Sequence, residues 1–277
     1  MRPLVMGILN VTPDSFSDGG RFGAADAAIE RAHAMVEEGA DVLDVGGEST
    51  RPGAEPVPTA DELARVLPVI EGIREIGRVS IDTRNEEVAR QAVAAGATLV
   101  NDVSASLGAV AAELGVGFVA MHMQGDPRTM QAEPVYANVV EDVKSFLRER
   151  ADDAAAAGCS EVWIDPGFGF GKTEQHNLEL LAGLQQLTDG PYPVIVGLSR
   201  KRWIGALHQR SDQRVSATPV DPVGPDDRLE GSVATATHAM VLGAKMIRVH
   251  DVKAGWQAAT VVAGTTEPVQ ITARGGR

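Results

Sequence analysis

The chain has 277 residues, of which 44% are apolar, so it is long enough to bury one large hydrophobic core. Its 25 basic and 38 acidic residues give a formal net charge of −13 without a basic stripe, which argues against nucleic-acid and membrane-surface partners. Cys159 is the only cysteine, so an internal disulfide is excluded, and no apolar stretch reaches the roughly 20 residues that cross a membrane. We therefore expect a cytoplasmic protein of one domain, in which any anionic ligand is bound by a few local cations.

Short apolar runs that end in polar or glycine-rich clusters recur along the chain. The runs are residues 4–9, 42–45, 79–81, 99–100, 118–121, 162–164, 194–196 and 246–247. Ala-rich stretches with helical spacing lie between them, at residues 24–39, 61–75, 85–96, 138–158 and 229–242. Several of these stretches end on a glycine where a left-handed cap is expected, namely Gly39, Gly96, Gly158 and Gly243.

This alternation predicts an α/β protein with a parallel sheet buried on both faces, and the number of strands permits closure into a single (β/α)8 barrel. An open doubly wound sheet is the alternative, with one crevice where the strand order reverses. We favour the barrel because it places every polar cluster around one mouth. The barrel domain is predicted at residues 1–263, with a polar tail at 264–277 and a long surface loop at 209–227.

Four side chains with complementary chemistry stand at or just past the ends of the third, fourth, sixth and seventh strands: Asp82, Asn101, Asp165 and Lys201. Carboxylates, an amide and an ammonium group can together bind a flat heterocycle with donors and acceptors on its edge, each charge-assisted bond contributing roughly 1.5 to 3 kcal/mol. A single Asp at a strand end could instead cap the following helix. Met123, at the fifth strand end, could lie against the ring or fill the core.

A second group stands at the ends of the first, second and eighth strands, which are neighbours in a closed barrel: Asn10, Arg51, Arg248 and His250. Barrels often bind phosphate at the mouth near their last strands, and Arg can donate two parallel hydrogen bonds to it. A lone Arg on a loop is usually only solvated. The grouping therefore favours a site for a phosphorylated leaving group.

Two glycine-rich loops, residues 14–20 and 46–53, are predicted to be mobile lids, with ordinary surface turns as the alternative. Residues 167–173 imitate a nucleotide-binding P-loop, but the first required glycine falls on Pro166, so the motif fails. No His-Glu-x-x-His spacing occurs, so a tightly held zinc ion is not expected. Mg²⁺ that bridges phosphate to oxygen ligands is compatible with the sequence.

With these residues laid out, the chain closely resembles the dihydropteroate synthases, the folate-pathway enzymes that sulfonamides inhibit. The matching segments are residues 7–20, 44–53, 80–83, 101–104, 121–125, 165–172, 199–201 and 248–251. They occur in order over nearly the whole domain. The resemblance implies a barrel that joins 6-hydroxymethyl-7,8-dihydropterin pyrophosphate to p-aminobenzoate with Mg²⁺, releasing pyrophosphate and 7,8-dihydropteroate, and it implies a homodimer.

The resemblance also assigns roles to individual residues. Pterin binding is expected of Asp82, Asn101, Val103, Met123, Asp165, Gly197 and Lys201, and pyrophosphate binding of Asn10, Arg51, Arg248 and His250. The p-aminobenzoate site is expected to contain Phe16, Thr50, Arg51, Pro52, Phe170, Ser199 and Lys201. Asp82, Lys201 and Asp18 are the expected catalytic residues, and Asn10 and Asp18 the expected metal ligands.

The chemistry of that reaction is consistent with these side chains. An aromatic amine needs no strong base at neutral pH, whereas a departing pyrophosphate needs its charge neutralised. A buried carboxylate such as Asp82 would favour cationic character on the pterin methylene, which suggests an SN1-like displacement. Arg202-Trp203 and the length of residues 209–227 depart from the family's usual pattern. A pterin-binding protein without turnover and a pterin-dependent methyltransferase of the same barrel family are the alternatives.

Overall fold

The structure, a computed structural model, describes residues 2–12, 20–49 and 53–266. Strands and helices alternate along the chain. The strands are β1 (Leu4–Asn10), β2 (Val42–Gly46), β3 (Arg78–Asp82), β4 (Leu99–Asp102), β5 (Gly117–Met121), β6 (Val162–Asp165), β7 (Ile195–Val196) and β8 (Met246–Val249). The helices are α1 (Gly20–Glu37), α2 (Thr59–Ile73), α3 (Glu86–Ala95), α4 (Gly108–Leu114), α5 (Val139–Ala156), α6 (Glu174–Ala182), α7 (Gln185–Thr188), α8 (Arg202–Val215), α9 (Leu229–Val241) and α10 (Val252–Thr266), with a 3₁₀ turn at Pro225–Asp227.

The strands form one parallel sheet in the order β6-β5-β4-β3-β2-β1-β8-β7. The two ends of this sheet meet, because Ile164 and Val194 form an isolated parallel bridge and the Ile164 amide donates to the Pro193 carbonyl at 3.1 Å. The prediction of a (β/α)8 barrel is therefore confirmed, and the open-sheet alternative is wrong. Within the described ranges, no helix combines the length and the apolar content needed to span a membrane.

The interior of the barrel has an apolar layer toward the amino ends of the strands. Its buried side chains form a cluster separate from the larger core between barrel and helices, and they are Met6, Val42, Leu99, Val119, Trp163, Ile195 and Met246. Interior residues further along the strands are polar and include Asp44, Asn101, Asp165 and Arg248. Since the apolar layer fills one end, the polar side chains are left to form a site at the carboxyl ends.

The predicted glycine caps follow the helices as expected. Gly39, Gly96, Gly158 and Gly243 all adopt positive φ, between 102° and 129°. At Gly39 a side chain is also excluded by space, because a β-carbon there would lie 2.5 Å from Trp256. These turns return the chain from each helix to the next strand.

The predicted loop at residues 209–227 is partly wrong. Its first part, residues 209–215, belongs to α8, and its last residues form the 3₁₀ turn at Pro225–Asp227. The helical part is polar and exposed, so it shows no apolar periodicity, yet it contains neither Pro nor Gly to end the helix. At the other end of the chain, α10 continues to Thr266, three residues into the predicted tail, and residues 267–277 lie outside the described part.

Candidate active site

A cleft with about 330 Å³ of open space lies at the carboxyl end of the barrel. All four residues predicted to bind a heterocycle line it, together with predicted Val103, Phe170 and Gly197. The lining residues are Asp82, Asn101, Val103, Met121, Asp165, Gly167, Phe168, Phe170, Gly197, Lys201 and Arg248. The strand ends thus bring together carboxylates, an amide, an ammonium and a guanidinium group around one small-molecule cleft.

Arg248 lies in the same cleft as Asp82, although the sequence grouped it with His250. Its Nη2 donates to Asp82 Oδ2 at 2.6 Å, and its Nε donates to Asp44 Oδ2 at 2.6 Å. Burial lowers the pKa of Arg248, but the carboxylates of Asp44 and Asp82 raise it by more, so the guanidinium stays charged. For Asp82, burial raises the pKa to about 7 even though the charge of Arg248 opposes the shift.

Asp165 and Lys201 form a second pair of opposite charges across the cleft. Burial raises the pKa of Asp165, opposed by the Gly167 amide, which donates to Oδ1 at 2.8 Å, and by the charge of Lys201. Burial lowers the pKa of Lys201 to about 8, and the charge of Asp165 opposes that shift. The Lys201 Nζ lies 4.2 Å from the ring centroid of Phe170, a cation–π distance. A carboxyl group and an amine, both with pKa values shifted by burial, therefore face the same ligand-binding cleft.

His250 is directed at Ser199 rather than into this cleft. Its Nδ1 lies 3.0 Å from Ser199 Oγ, which also accepts from the His250 amide at 3.2 Å. Burial, followed by the charges of Arg248 and Arg200, lowers the pKa of His250 to about 3. With its pKa lowered this far, the His250 imidazole is neutral near pH 7 and can bind an anion only as a hydrogen-bond donor.

The turn that carries Ser199 and Lys201 is held by Arg200, which adopts a positive φ of 59°. Its guanidinium donates twice to Asp251, at 3.1 and 2.8 Å, and its amide donates to Ser232 Oγ at 2.9 Å. A non-glycine residue in this conformation is strained unless its surroundings hold it there. The ion pair and the hydrogen bond to Ser232 supply that support.

Met123 does not line the cleft, although it was expected to. Strand β5 ends at Met121, which faces the cleft, whereas Met123 lies two residues past the strand in the following loop. The register of β5 therefore selects Met121 as the methionine of the site. Five predicted residues, Phe16, Asp18, Thr50, Arg51 and Pro52, lie outside the described residues.

Asn10 and Asp82 both lie next to Gly46 of β2. It pairs in register with Gly46 of β2, and a β-carbon on Gly46 would lie 3.5 Å from Asn10 Oδ1 and 3.7 Å from Asp82 Oδ2. A β-carbon at Gly46 would thus be in van der Waals contact with both side chains. Among the residues that the structure describes, no three His, Cys, Asp or Glu side chains are grouped as they would be around a metal ion.

Lys172, the lysine of the rejected P-loop motif, has a role that the sequence did not predict. It is buried, and its Nζ lies 2.9 Å from His122 Nδ1, 3.0 Å from the Gly167 carbonyl and 3.1 Å from the Phe170 carbonyl. These contacts join the loop after β5 to the loop after β6. In this structure the Lys172 ammonium is therefore occupied by protein acceptors of the two loops.

Residues 6–250 match the profile of the family described as pterin binding enzyme. Dihydropteroate synthase of Haemophilus influenzae is 45% identical over 261 residues, covering 91% of this chain and 90% of the relative. That of Escherichia coli is 45% identical over 271 residues, covering 95% and 92%.

Solved structures of the same enzyme superpose closely. Yersinia pestis dihydropteroate synthase in a sulfonamide drug complex has a TM-score of 0.85 at 42% identity, covering 96% of this chain and 94% of that one. Xanthomonas albilineans dihydropteroate synthase with 4-aminobenzoic acid has a TM-score of 0.84 at 46% identity, covering 96% and 93%. The chain therefore belongs to the dihydropteroate synthase family, pterin-binding transferases of folate biosynthesis built on a (β/α)8 barrel.

Proposed function

We propose that the residues of this cleft catalyse the condensation of 6-hydroxymethyl-7,8-dihydropterin pyrophosphate with p-aminobenzoate, giving 7,8-dihydropteroate and pyrophosphate. The observation that carries the proposal is that Asp82, Asp165 and Lys201 face one cleft in a chain of this family. Their combination of acceptors and donors suits the edge of a pterin, in which ring N–H and exocyclic amino groups lie beside a carbonyl. Asn101, Val103 and Gly197 complete the proposed pterin site, with Met121 in the place expected for Met123.

The pyrophosphate is proposed to lie toward Arg248, Asn10 and His250, with Arg51 completing the set. Arg248 supplies the fixed positive charge, and neutral His250 supplies a hydrogen-bond donor. Transition-state charge collects on the departing pyrophosphate, so donors placed around it lower the barrier. Support for this half of the site comes from the guanidinium that donates to Asp82 and from Asn10, whose Oδ1 lies near Gly46, as Asp82 does.

Mg²⁺ is proposed to bind with the pyrophosphate, held by the side-chain oxygen of Asn10 and by Asp18. Magnesium in proteins is commonly bound by one or two side-chain oxygens together with substrate phosphates, so a preformed cluster of acidic residues is not required. The Asn10 oxygen fits that donor chemistry. The ion would neutralise part of the charge on the leaving group.

The displacement itself is proposed to be SN1-like, with Asp82 near the reacting methylene. An ionised Asp82 in a buried setting stabilises positive charge that develops on the pterin, since its field is poorly screened there. p-Aminobenzoate is proposed to approach beside Phe170 and Lys201, with Ser199, Phe16, Thr50 and Pro52 completing its site. The Lys201 ammonium over the Phe170 ring offers a positive group near the entering carboxylate. We propose Asp18 as the acceptor of the amine proton.

A homodimer and a cytoplasmic location stay predictions from the family resemblance and from composition. Sedimentation or light scattering of the purified chain would measure the first. Neither affects the assignment of the residues to the cleft.

The proposal is tested by incubating the purified chain with both substrates and Mg²⁺ and measuring released pyrophosphate together with 7,8-dihydropteroate. Turnover is expected in the wild type, and Asp82→Asn is expected to lose at least about 100-fold because the carboxylate charge is removed while its shape is kept. Retained circular dichroism would show that the variant still folds. A wild-type chain that binds the pterin without releasing pyrophosphate would contradict the proposal, as would full activity of Asp82→Asn.

A further inference from the structure

Asp44 was not predicted to take part in the site, yet it lies directly beneath it. It stands in the middle of β2 with a relative exposure of 0%. One oxygen, Oδ2, accepts from Asn101 Nδ2 at 3.0 Å and from Arg248 Nε at 2.6 Å. A single carboxylate oxygen therefore joins two residues that are proposed to bind different parts of the substrate.

These contacts decide which atoms of the two partners remain for a ligand. Because Nδ2 of Asn101 is held by Asp44, the amide oxygen Oδ1 is left as an acceptor, and it receives no hydrogen bond from the described residues. Arg248 is held through Nε by Asp44 and through Nη2 by Asp82, so Nη1 is the nitrogen that donates to none of the described residues. The amide oxygen of Asn101 and the Nη1 group of Arg248 thus remain as acceptor and donor on two residues that line the cleft.

The other oxygen of Asp44 indicates that stability is not the reason for this residue. Oδ1 is buried and has no hydrogen-bond partner among the residues that the structure describes, although a buried polar atom without a partner costs free energy. A residue retained for packing would be apolar or fully hydrogen-bonded. In Asp44, Oδ2 accepts the hydrogen bonds from Asn101 and Arg248, and Oδ1 accepts none from the described residues.

We propose that Asp44 is a positioning residue of the pterin pyrophosphate site: through one buried oxygen it orients Asn101 as a hydrogen-bond acceptor and holds Arg248 with its Nη1 group free to donate to the leaving group. Asp44 does not touch substrate in this proposal, which rests on the proposed function. Its removal should impair the pterin substrate and leave p-aminobenzoate binding unchanged, because the hydrogen bonds of Asp44 to described residues go to Asn101 and Arg248 and not to Phe170, Ser199 or Lys201.

The first test compares Asp44→Leu with Asp44→Asn. Leu removes the acceptor at similar volume, so kcat/KM for the pterin pyrophosphate should fall about 100-fold, the effect of losing a hydrogen bond to a charged group, while the KM for p-aminobenzoate changes less than about twofold. Asn can place its amide oxygen where Oδ2 lies, so Asp44→Asn should recover about tenfold of that loss. Calorimetry with 6-hydroxymethylpterin, and separately with inorganic pyrophosphate, should show weaker binding of both in Asp44→Leu.

Asp102→Asn is the matched control for loss of a buried carboxylate. Asp102 also has 0% exposure, but its oxygens accept from the amides of Ser104, Ser106 and Leu107 and do not line the cleft. This variant should lower the melting temperature. It should not change the KM for the pterin pyrophosphate relative to the KM for p-aminobenzoate. If Asp44→Leu affects both substrates equally or leaves both unchanged, the positioning role is overturned.

A double-variant cycle keeps the proposal testable should Asp44→Leu fail to fold. Asn101→Asp places a second carboxylate against Asp44 Oδ2, so kcat/KM for the pterin substrate should fall at least about tenfold because the two carboxylates repel each other. Adding Asp44→Asn removes the repulsion between the two carboxylates, and kcat/KM for the pterin substrate should rise again by at least about tenfold. Additive effects of the two substitutions would overturn the proposal. An inactive wild-type chain would instead remove the proposed function, so the two failures are distinguishable.

Discussion

At the scale of single residues, the site depends on ionisable groups that are buried, and burial disfavours the charged form of each. Asp82 and Lys201 are both buried in the cleft, and burial moves their pKa values toward each other, to about 7 and to about 8. The charged form of each is kept only by its partners, Arg248 for Asp82 and Asp165 for Lys201. Small changes of pH near neutrality therefore change the charge that meets the substrate.

We predict a bell-shaped dependence on pH for kcat/KM with the pterin substrate, measured at saturating p-aminobenzoate. Below about pH 7 Asp82 is protonated and cannot stabilise positive charge on the pterin, whereas above about pH 8 Lys201 loses its proton. Because the two groups share one cleft, the apparent pKa values of the two limbs belong to the pair and not to either residue alone. Lys201→Arg should remove the alkaline limb, since Arg stays protonated. A profile without either limb would contradict these roles.

The sequence allowed the residues at strand ends to be predicted but not those that support them. Asp82, Asn101 and Asp165 were recognisable because each is polar directly after an apolar run, and Lys201 because it ends the cluster that follows the seventh run. Asp44 interrupts such a run, and a single acidic residue inside a buried strand was a signal that could have been used. Which atom it contacts depends on the register of β2 against its neighbours, which no local pattern contains.

At the scale of elements, the loop after β6 is shaped by its glycines and by a lysine. Gly167, Gly169 and Gly171 have positive φ, and a β-carbon on Gly167 would lie 1.9 Å from the His122 carbonyl. The loop can therefore press against the loop after β5, and the Lys172 ammonium joins the two. Burial lowers the pKa of Lys172 to about 7, and burial with the charge of Lys172 lowers the pKa of His122 to about 3, so His122 accepts as a neutral ring.

We predict that Lys172→Met lowers the melting temperature by about 3–10 °C, because buried acceptors lose their donor at a cost of about 1–3 kcal/mol. The substitution should also remove a pH dependence. Between about pH 7 and the ordinary lysine pKa of 10.5, the unfolded chain binds more protons at this site than the folded chain, so wild-type stability gains from rising pH there. Melting curves at neutral and alkaline pH would measure both effects.

Lys253→Met is the control for that experiment, since Lys253 is an exposed lysine of α10. It should leave the melting temperature and its pH dependence close to the wild type. Equal effects of the two substitutions would show that Lys172 does not join the loops. Loss of activity in Lys172→Met at unchanged stability would place its role in the cleft itself.

Elements with a strong local signal could be predicted, and those without one could not. The glycines after α1, α3, α5 and α9 marked helix ends because a left-handed residue is needed there. The end of α8 carried no such signal, since residues 209–215 are polar and the helix stops at Ser216 without a glycine. Exposure removes the periodicity on which sequence reasoning depends.

At the scale of the whole molecule, the barrel is closed unevenly. Strand β7 has two residues, and its side toward β6 is joined through the Ile164–Val194 bridge and the bond from Ile164 to Pro193. By contrast, β1 and β2 are paired over five residues. The weakly paired boundary, which we call the β6–β7 seam, lies between Asp165 and Lys201, the two residues proposed to bind one pterin.

We predict that hydrogen exchange at the β6–β7 seam is faster than in β2 and that a pterin ligand slows it. Peptides containing Ile195 and Val196 should exchange ahead of those from Val42–Gly46, although both strands are buried, because fewer ladder hydrogen bonds must open. A ligand bound to both Asp165 and Lys201 connects the two sides, so 6-hydroxymethylpterin should protect the seam more than it protects β2. Mass-spectrometric exchange with and without that ligand measures both comparisons. Equal protection of the two strands would mean that the barrel opens as one cooperative unit, and a ligand effect confined to β2 would place the pterin away from the seam.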